Sequence, residues 1–216
     1  MIRENLERLR SGIPAHVRLV AVSKFKPAAD IMEAYNAGQR DFGENYVQEL
    51  TGKAGELPPD IRWHFIGHLQ TNKVKYIAPF VHLIHSVDSA KLLKEIHRQG
   101  AANGRVIECL LQVHIAREET KSGLSGEEFL ALLADPGLKA LDHVRVTGVM
   151  GMSTFTDDRD VVRSEFRELK RIFEAGKALW PEMTEISMGM SGDWPLAVEE
   201  GSTMVRIGST IFGARN

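Results

Sequence analysis

The segment RLVAVSKFKP, residues 18–27, ends an apolar run on Ser23 and Lys24. A lysine amine can attack a carbonyl carbon and form a Schiff base when burial or a neighbouring cation keeps part of it neutral. Lys26 is close by, but Pro27 ends the strand, so we expect Lys24 rather than Lys26 to point inward. The alternative is that Lys24 is only the solvated end of a strand.

Two turns rich in glycine and serine, SMGMSGD (187–193) and VRIGST (205–210), predict a phosphate site. Ser191 stands where a hydroxyl and the first N–H groups of a helix converge on an anion. Gly208 allows the backbone to approach a ligand closely, and Ser209 adds a second hydroxyl. The alternative is a pair of ordinary glycine turns with helix caps.

Arg206 lies in an apolar run two residues before Gly208. An arginine stays charged in a protein and needs an acceptor. We consider two partners: a barrel carboxylate such as Glu44, or a ligand atom beside the phosphate. A lysine amine opposite a phosphate site indicates a Schiff base with either a phosphorylated sugar or pyridoxal 5'-phosphate (PLP).

Most apolar runs are continuous rather than alternating, which is typical of parallel strands covered on both faces. The predicted strands are residues 17–23, 40–43, 62–67, 81–87, 105–114, 144–150, 185–190 and 204–213. Predicted helices separate many of them, at residues 2–11, 27–38, 88–100, 125–135 and 157–179. This alternation favours an α/β fold closed into a (β/α)₈ barrel. An open doubly wound sheet is the alternative.

In such a barrel, functional residues gather at the C-terminal ends of the strands. Lys24 and Ser191 follow predicted strands, and Gly208 lies in RIGST (206–210), which we place at the end of the last one. GENYVQE (43–49) and GHLQTNK (67–73) are expected to be loops on the same rim. We therefore expect one site at this end of the barrel.

The composition excludes several classes of protein. The 216 residues hold 27 basic and 29 acidic side chains, so no broad basic surface is available for nucleic acid or an anionic membrane. One cysteine, Cys109, excludes an internal disulfide and fits a reducing compartment. The N-terminus is charged, and no window approaches the ~20 apolar residues of a membrane span. We expect one domain over residues 1–216, located in the cytoplasm.

The eight histidines do not predict a metal site. His64 and His68 have the spacing of a helical ligand pair, but their segment is a predicted strand entering a glycine turn. Cys109 lies in the middle of a strand, where a small buried side chain is common. We expect no bound metal.

Eight segments in order resemble the pyridoxal phosphate homeostasis proteins, which are relatives of the barrel domain of alanine racemase. They extend from about Val17 to Gly213, and their combination is far more specific than any one of them. The segments are AVSKFKP, FGENYVQE, WHFIGHLQTNK, HSVDS, KSGL, GVMGM, SMGMSGD and VRIGSTIFG.

The resemblance implies a (β/α)₈ TIM barrel of the alanine racemase N-terminal type, with PLP bound covalently to Lys24 as a Schiff base. It implies phosphate contacts from Ser191, Gly208 and Ser209. It also implies that Arg206 faces the pyridine nitrogen.

Two further cofactor contacts follow from the resemblance: Asn45 lines the cofactor and Met152 packs near the ring face. The chain departs from the family pattern at Phe25, where threonine is common, and at His114, where asparagine is usual. Neither departure falls on a residue assigned to the cofactor, so both bear only on fine tuning.

The resemblance favours a binding protein over an enzyme. A cation beside the pyridine nitrogen disfavours its protonation and so weakens carbanion chemistry. In alanine racemase the acid/base tyrosine on the second ring face comes from a further domain, for which we expect no room after residue 213. Of the tyrosines Tyr35, Tyr46 and Tyr76, only Tyr46 lies near a strand end.

We therefore expect a monomer that holds, buffers and delivers PLP, with PLP-dependent apo-enzymes as the partners that receive it. One alternative is a PLP-dependent amino-acid racemase or lyase. Another is a lysine-dependent aldolase or a phosphosugar isomerase on the same fold.

Overall fold

Eight parallel strands pair in chain order and close into a barrel, because the last strand returns to the first. A computed structural model describes residues 1–118 and 122–213. The strands are β1 Arg18–Val22, β2 Asp41–Glu44, β3 Arg62–Phe65, β4 Leu83–Val87, β5 Ile107–Gln112, β6 Val144–Met150, β7 Glu185–Ser187 and β8 Met204–Ile207. The closed barrel confirms the (β/α)₈ prediction over the open sheet. Lys121, in the KSGL segment, lies outside the described residues.

Helices surround the barrel and cover the outer faces of its strands. They are α1 Ile2–Gly12, α2 Ala28–Asn36, α3 Val47–Glu56, α4 Val74–Ile77, α5 Ala90–Ala102, α6 Gly126–Ala134, α7 Pro136–Lys139, α8 Arg159–Leu179, α9 Trp194–Glu199 and α10 Ser209–Phe212. A 3₁₀ turn at Thr71–Lys73 leads into α4. In the described part of the chain, no helix has the length and apolarity needed to cross a bilayer.

Local sequence explains where the helices start and which face they bury. Ser125 and Glu128 form a reciprocal capping box at the start of α6. Asp158 accepts hydrogen bonds from the first N–H groups of α8. The buried apolar stripe of α8, which includes Phe166 and Leu169, follows helical spacing and packs into the main core.

Two predicted strands end at least three residues earlier than expected. β7 ends at Ser187 rather than residue 190, and β8 ends at Ile207 rather than residue 213. Gly189 adopts φ +95°, which breaks the extended strand. The residues after Gly208 form α10 instead of continuing β8.

The helix α3 was not predicted, because its segment was expected to begin as a loop. It contains Gly52 and Gly55 and buries only Leu50 and Lys53, so its sequence carries a weak helical signal. Tertiary packing of Leu50 against the core stabilises it instead.

The barrel interior has an apolar side and a polar side. Five side chains from five strands form a separate apolar cluster: Val20, Leu83, Leu110, Met150 and Met204. Five other buried residues supply the polar side: Asp41, His64, His85, Ser187 and Arg206. The polar side is the unusual feature, because buried polar groups need partners.

Candidate functional site

A cavity of about 460 Å³ opens at the C-terminal end of the barrel. All seven residues that the sequence assigned to a cofactor line it: Lys24, Asn45, Met152, Ser191, Arg206, Gly208 and Ser209. They come from the ends of five strands and the loops that follow, which is where barrel sites are built. The structure thus brings the predicted residues together in one place.

Lys24 reaches the cavity because alternate residues of β1 face the barrel interior. Val20 belongs to the interior apolar cluster, and Val22 and Lys24 line the cavity above it. Lys24 is half-buried. Lys26 lines the cavity as well, which corrects the expectation that only Lys24 points inward. The Nζ of Lys26 donates to the carbonyl oxygen of Phe212 at 3.0 Å.

The backbone turn that carries Lys24 is held from behind by α3. Phe25 adopts φ +62°, a left-handed conformation that costs a non-glycine residue on the order of 1 kcal/mol. Its N–H donates to Glu49 Oε1 at 2.6 Å. Lys53 Nζ donates to the same carboxylate oxygen at 2.6 Å and to the carbonyl oxygen of Ser23 at 2.8 Å. The residues on both sides of Lys24 are therefore fixed by one helix.

Glu44 completes this support inside the barrel wall. Its Oε1 accepts hydrogen bonds from Ser23 Oγ at 2.5 Å and from Lys53 Nζ at 2.8 Å. Burial raises the pKa of Glu44, and the hydrogen bonds from Lys53 and Ser23 offset part of that rise. No local sequence pattern predicts this network, since its members are spread over residues 23–53.

The two predicted glycine turns meet at the cavity wall. The N–H of Gly208, after β8, donates to the Oγ of Ser191, after β7, at 3.3 Å. Asp193 stabilises the turn after β7, because its carboxylate accepts hydrogen bonds from the N–H of Met190 at 2.6 Å and from Ser153 Oγ at 2.7 Å. A Cβ at Gly208 would lie 3.2 Å from the carbonyl oxygen of Val22, so the strand ends are tightly packed there.

Arg206 is buried between β7 and the loop after β6. Its Nη1 donates to Ser187 Oγ at 2.6 Å and its Nη2 to the carbonyl oxygen of Gly151 at 3.0 Å. Burial lowers the pKa of Arg206 to about 10, with Asp193 opposing that shift, so the guanidinium stays charged at neutral pH. The suggested ion pair with Glu44 is wrong, because Glu44 binds Lys53 instead.

Asn45 lines the cavity and, within the described part of the chain, carries an unpaired acceptor, its amide oxygen. Its Oδ1 is shielded from solvent and accepts no hydrogen bond from any described residue. Unsatisfied buried oxygens are rare in folded proteins and call for a partner.

Met152 forms the apolar side of the cavity. It is partly buried and packs against the interior cluster that contains Met150 and Met204. A thioether offers a soft contact surface for a flat ring. The cavity therefore combines an apolar wall with polar groups at its other sides.

The two departures from the family pattern lie away from the cavity lining. Phe25 is exposed, and its ring lies 5.2 Å from that of Tyr46. His114 Nε2 is 3.0 Å from the carbonyl oxygen of Glu118.

A second set of residues, not predicted from the sequence, extends inward from Arg206. Asp41, His64, His85 and Ser187 are buried polar residues joined to it by hydrogen bonds. One feature of the sequence could have indicated this set: each of its members is a polar residue at an interior position of an otherwise apolar strand.

Asp41, His64 and His82 also have ligand atoms within 4.8 Å of one another, which is a metal-like spacing. Arg62 already takes both carboxylate oxygens of Asp41, at 2.9 and 2.6 Å. A divalent cation there would compete with this guanidinium, so the cluster is accounted for by the Asp41–Arg62 ion pair.

The comparisons with known proteins agree with this architecture. The family model described as "Alanine racemase, N-terminal domain" matches residues 1–216. The pyridoxal phosphate homeostasis protein of Vibrio alginolyticus is 38% identical over 230 residues, covering 100% of this chain and 98% of that protein.

Solved structures give the same result. PipY of Synechococcus elongatus, solved without PLP, is 40% identical with a TM-score of 0.93, covering 99% of this chain and 100% of that chain. The structure of PipY with PLP bound is 39% identical with a TM-score of 0.90 and the same coverage. Alanine racemase of Streptomyces lavendulae shares the fold, with a TM-score of 0.81 at 18% identity over 99% of this chain and 57% of that chain. The chain belongs to the pyridoxal phosphate homeostasis protein family and carries the alanine racemase N-terminal domain.

Proposed function

We propose that this chain binds PLP in the cavity at the C-terminal end of the barrel and takes part in intracellular PLP homeostasis. The observation that carries the proposal is that one cavity is lined by an amine, Lys24, a hydroxyl turn, Ser191–Gly208, and a buried cation, Arg206. An aldehyde, a phosphate and a ring nitrogen are the groups of PLP that these residues match. The names of the relatives and the PLP-bound structure of PipY support the same ligand.

The residues present fit the cofactor. The cavity volume of about 460 Å³ lies within the range of small-molecule sites. Asn45 lines the same cavity and gives it a polar side chain. Gly208 lets the ends of β8 and β1 pack closely at the cavity wall, because a Cβ there would lie 3.2 Å from the carbonyl oxygen of Val22. PLP supplies an aldehyde that condenses reversibly with an amine, releasing one water.

Lys24 is the amine that we assign to the covalent bond. It follows the inward residues Val20 and Val22, and the backbone on both sides of it is fixed by Lys53 and Glu49. A fixed backbone holds the amine in a narrow range of positions and lowers the entropy cost of bond formation. Lys26 is the second amine at the cavity, and its Nζ donates to the carbonyl oxygen of Phe212.

Ser191, Gly208 and Ser209 are the residues that we assign to the phosphate. The hydroxyl of Ser191 accepts from the N–H of Gly208, so the proton of that hydroxyl is available to an anion. Ser209 begins α10, where the first backbone N–H groups have no acceptor inside the helix. The Ser191 hydroxyl and the first backbone N–H groups of α10 are neutral hydrogen-bond donors to a phosphate, and Gly208 joins the two turns that carry them.

Arg206, Asn45 and Met152 are assigned to the ring. A charged guanidinium beside the pyridine nitrogen opposes protonation of that nitrogen. Met152 supplies the apolar contact on the ring face and Asn45 the polar contact at its edge. This environment holds the ring while weakening its ability to stabilise a carbanion.

The chain is proposed to be a carrier with no robust turnover. Racemisation needs an acid/base group on each ring face, and no tyrosine of the described residues lines the cavity. Tyr35 instead donates to Asp60 at 2.7 Å, and Tyr46 packs on Phe25. A PLP-dependent racemase or lyase is the alternative, and proton exchange at the α-carbon of amino acids in deuterated water distinguishes the two.

The remaining assignments concern the wider setting. We propose that one barrel domain, residues 1–216, acts as a monomer in the cytoplasm and passes PLP to PLP-dependent apo-enzymes. Nucleic acid and membranes are not proposed as partners, because the formal net charge is −2. Transfer is tested by adding the loaded protein to an apo-transaminase and following the recovery of its activity.

Binding is tested by titrating PLP into purified, PLP-free protein and recording the visible absorption. We expect one equivalent to bind with a new visible band. Lys24→Ala should abolish the band, whereas Lys26→Ala, at the same cavity, should retain it. A protein that takes up no PLP would overturn the proposed function.

A further inference from the structure

A continuous hydrogen-bond chain crosses the barrel interior from the cavity to the opposite end. Arg206 Nη1 contacts Ser187 Oγ at 2.6 Å, and the same oxygen lies 3.0 Å from His85 Nδ1. His85 Nε2 lies 2.9 Å from His64 Nδ1. His64 Nε2 lies 3.0 Å from Asp41 Oδ1. Five strands, β8, β7, β4, β3 and β2, contribute one residue each.

The hydrogen-bond chain has a cation, Arg206, at one end and an anion, Asp41, at the other. Arg206 can only donate, and an ionised Asp41 can only accept. Burial alone would raise the pKa of Asp41, but hydrogen bonds from Arg62 and His64 outweigh it and hold the pKa below its ordinary range. The two ends therefore fix which way the protons between them point.

Only one arrangement of protons satisfies every contact with neutral histidines. In this arrangement Ser187 accepts from Arg206 and donates its own proton to His85 Nδ1. The proton of His85 is then on Nε2 and is donated to His64 Nδ1. The proton of His64 is likewise on Nε2 and is donated to Asp41. All the bonds point in one direction, from Arg206 to Asp41.

The reverse arrangement fails at Asp41. If His85 donated to Ser187 through Nδ1, His64 would have to donate to His85 and would present a bare Nε2 to a carboxylate that cannot donate. Only a doubly protonated His64 would repair this contact. Burial lowers the pKa of His64 despite the opposing effect of Asp41, and burial lowers the pKa of His85 well below 6.5. Both rings therefore stay neutral.

We propose that Asp41, His64, His85 and Ser187 form a one-directional hydrogen-bond chain that positions Arg206 against the ring nitrogen of the bound cofactor. This inference rests on the proposed function. The hydrogen-bond chain does not deliver protons to the cofactor, because the guanidinium of Arg206 cannot accept a proton. The four residues are positioning residues: they keep the lone pairs of Ser187 turned toward Nη1 of Arg206.

The direction of the chain is tested on the PLP-free protein by nuclear magnetic resonance of ¹⁵N-labelled histidines. Long-range proton–nitrogen correlations distinguish the two neutral tautomers and the cation. We expect His64 and His85 to carry their proton on Nε2 at pH 7. A proton on Nδ1 of either neutral ring, or a charged His64, would overturn the chain as drawn.

The positioning role is tested with Ser187→Ala, which removes the link between Arg206 and His85. Ser202→Ala is the matched control, because Ser202 is also buried beside β8 but bonds only to backbone groups. For Ser187→Ala we expect a changed His85 Nδ1 shift, about tenfold weaker PLP binding and a displaced visible band. About tenfold corresponds to one hydrogen bond to a charged group. Ser202→Ala should leave the His85 shift, the PLP affinity and the band unchanged.

The outcomes separate this inference from the proposed function. If wild-type protein binds PLP and Ser187→Ala matches it in affinity and in spectrum, the positioning role is wrong while PLP binding stands. If wild-type protein binds no PLP, the proposed function and the positioning role both fail. In that case the measured tautomers of His64 and His85 still test whether the hydrogen-bond chain has the proposed direction.

Discussion

The Nζ of Lys53 lies 2.8 Å from the carbonyl oxygen of Ser23, the residue that precedes Lys24. Through this bond α3 supports the turn that presents the Lys24 amine. The same ammonium group binds Glu44 and Glu49. Glu49 also accepts a hydrogen bond from the N–H of Phe25, whose backbone is in the left-handed conformation. One buried lysine thus fixes the position of another.

Lys53→Met should therefore destabilise the fold. Removing one partner of a buried ion pair costs about 3 kcal/mol, since it leaves Glu44 buried without its cation. Urea denaturation measures the loss, and Lys75→Met, at an exposed position, is the control. A change below about 1 kcal/mol would show that the network contributes little.

Ser191→Ala should weaken the binding of PLP more than the binding of pyridoxal. The hydroxyl is assigned to the phosphate, which pyridoxal lacks, so only the phosphorylated ligand should lose about tenfold in affinity. Equilibrium titrations of the two ligands with wild type and variant give the comparison. Equal losses for both ligands would contradict the assignment of Ser191.

Gly189→Ala should be destabilising because the backbone there requires glycine. Its φ is +95°, and an added Cβ would lie 2.6 Å from the Cβ of Ala197. We expect a loss of about 2 kcal/mol or more in the free energy of unfolding. Gly192→Ala, in the same loop with open space around it, should change stability by less than about 0.5 kcal/mol. Similar effects at both positions would contradict the explanation.

Stability should fall with pH below about 6.5, in part because of His85. The folded protein holds His85 neutral, since burial lowers its pKa, whereas the unfolded chain protonates it near its ordinary value. Below that value the unfolded state binds more protons, which costs about 1 kcal/mol between pH 7 and 5.5.

The raised pKa of Glu44 acts in the opposite direction, so the total slope is not diagnostic. The difference between wild type and His85→Gln isolates the histidine. Denaturation at the two pH values should show a shallower loss in the variant, with His16→Gln as the exposed control. Identical pH dependence in wild type and His85→Gln would contradict a neutral buried His85.

The sequence predicted the barrel because each buried strand appears as an apolar run and the turns carry glycine. It also predicted that Lys24, Ser191 and Gly208 share one rim, since parallel strands place their C-terminal ends together. It did not predict α3, whose glycines mask its helical pattern. Nor did it predict the support of Lys24 by Lys53, which depends on where that helix lies in space.

The polar side of the interior was missed for a related reason. Asp41, His64 and His85 lie far apart in sequence, and each resembles an isolated polar residue in an apolar strand. Only closure of the barrel brings the β4 and β7 side chains within hydrogen-bonding distance. Pairing across a barrel leaves no local pattern in the sequence.

The most direct test of the central claim is to reduce the PLP-loaded protein with borohydride and map the modified peptide by mass spectrometry. Reduction fixes a Schiff base as a stable amine, so the lysine that holds the cofactor is identified chemically. We predict a single adduct on Lys24, unchanged in Lys26→Ala. An adduct on Lys26 or Lys53, or no adduct on protein that binds PLP, would contradict the account.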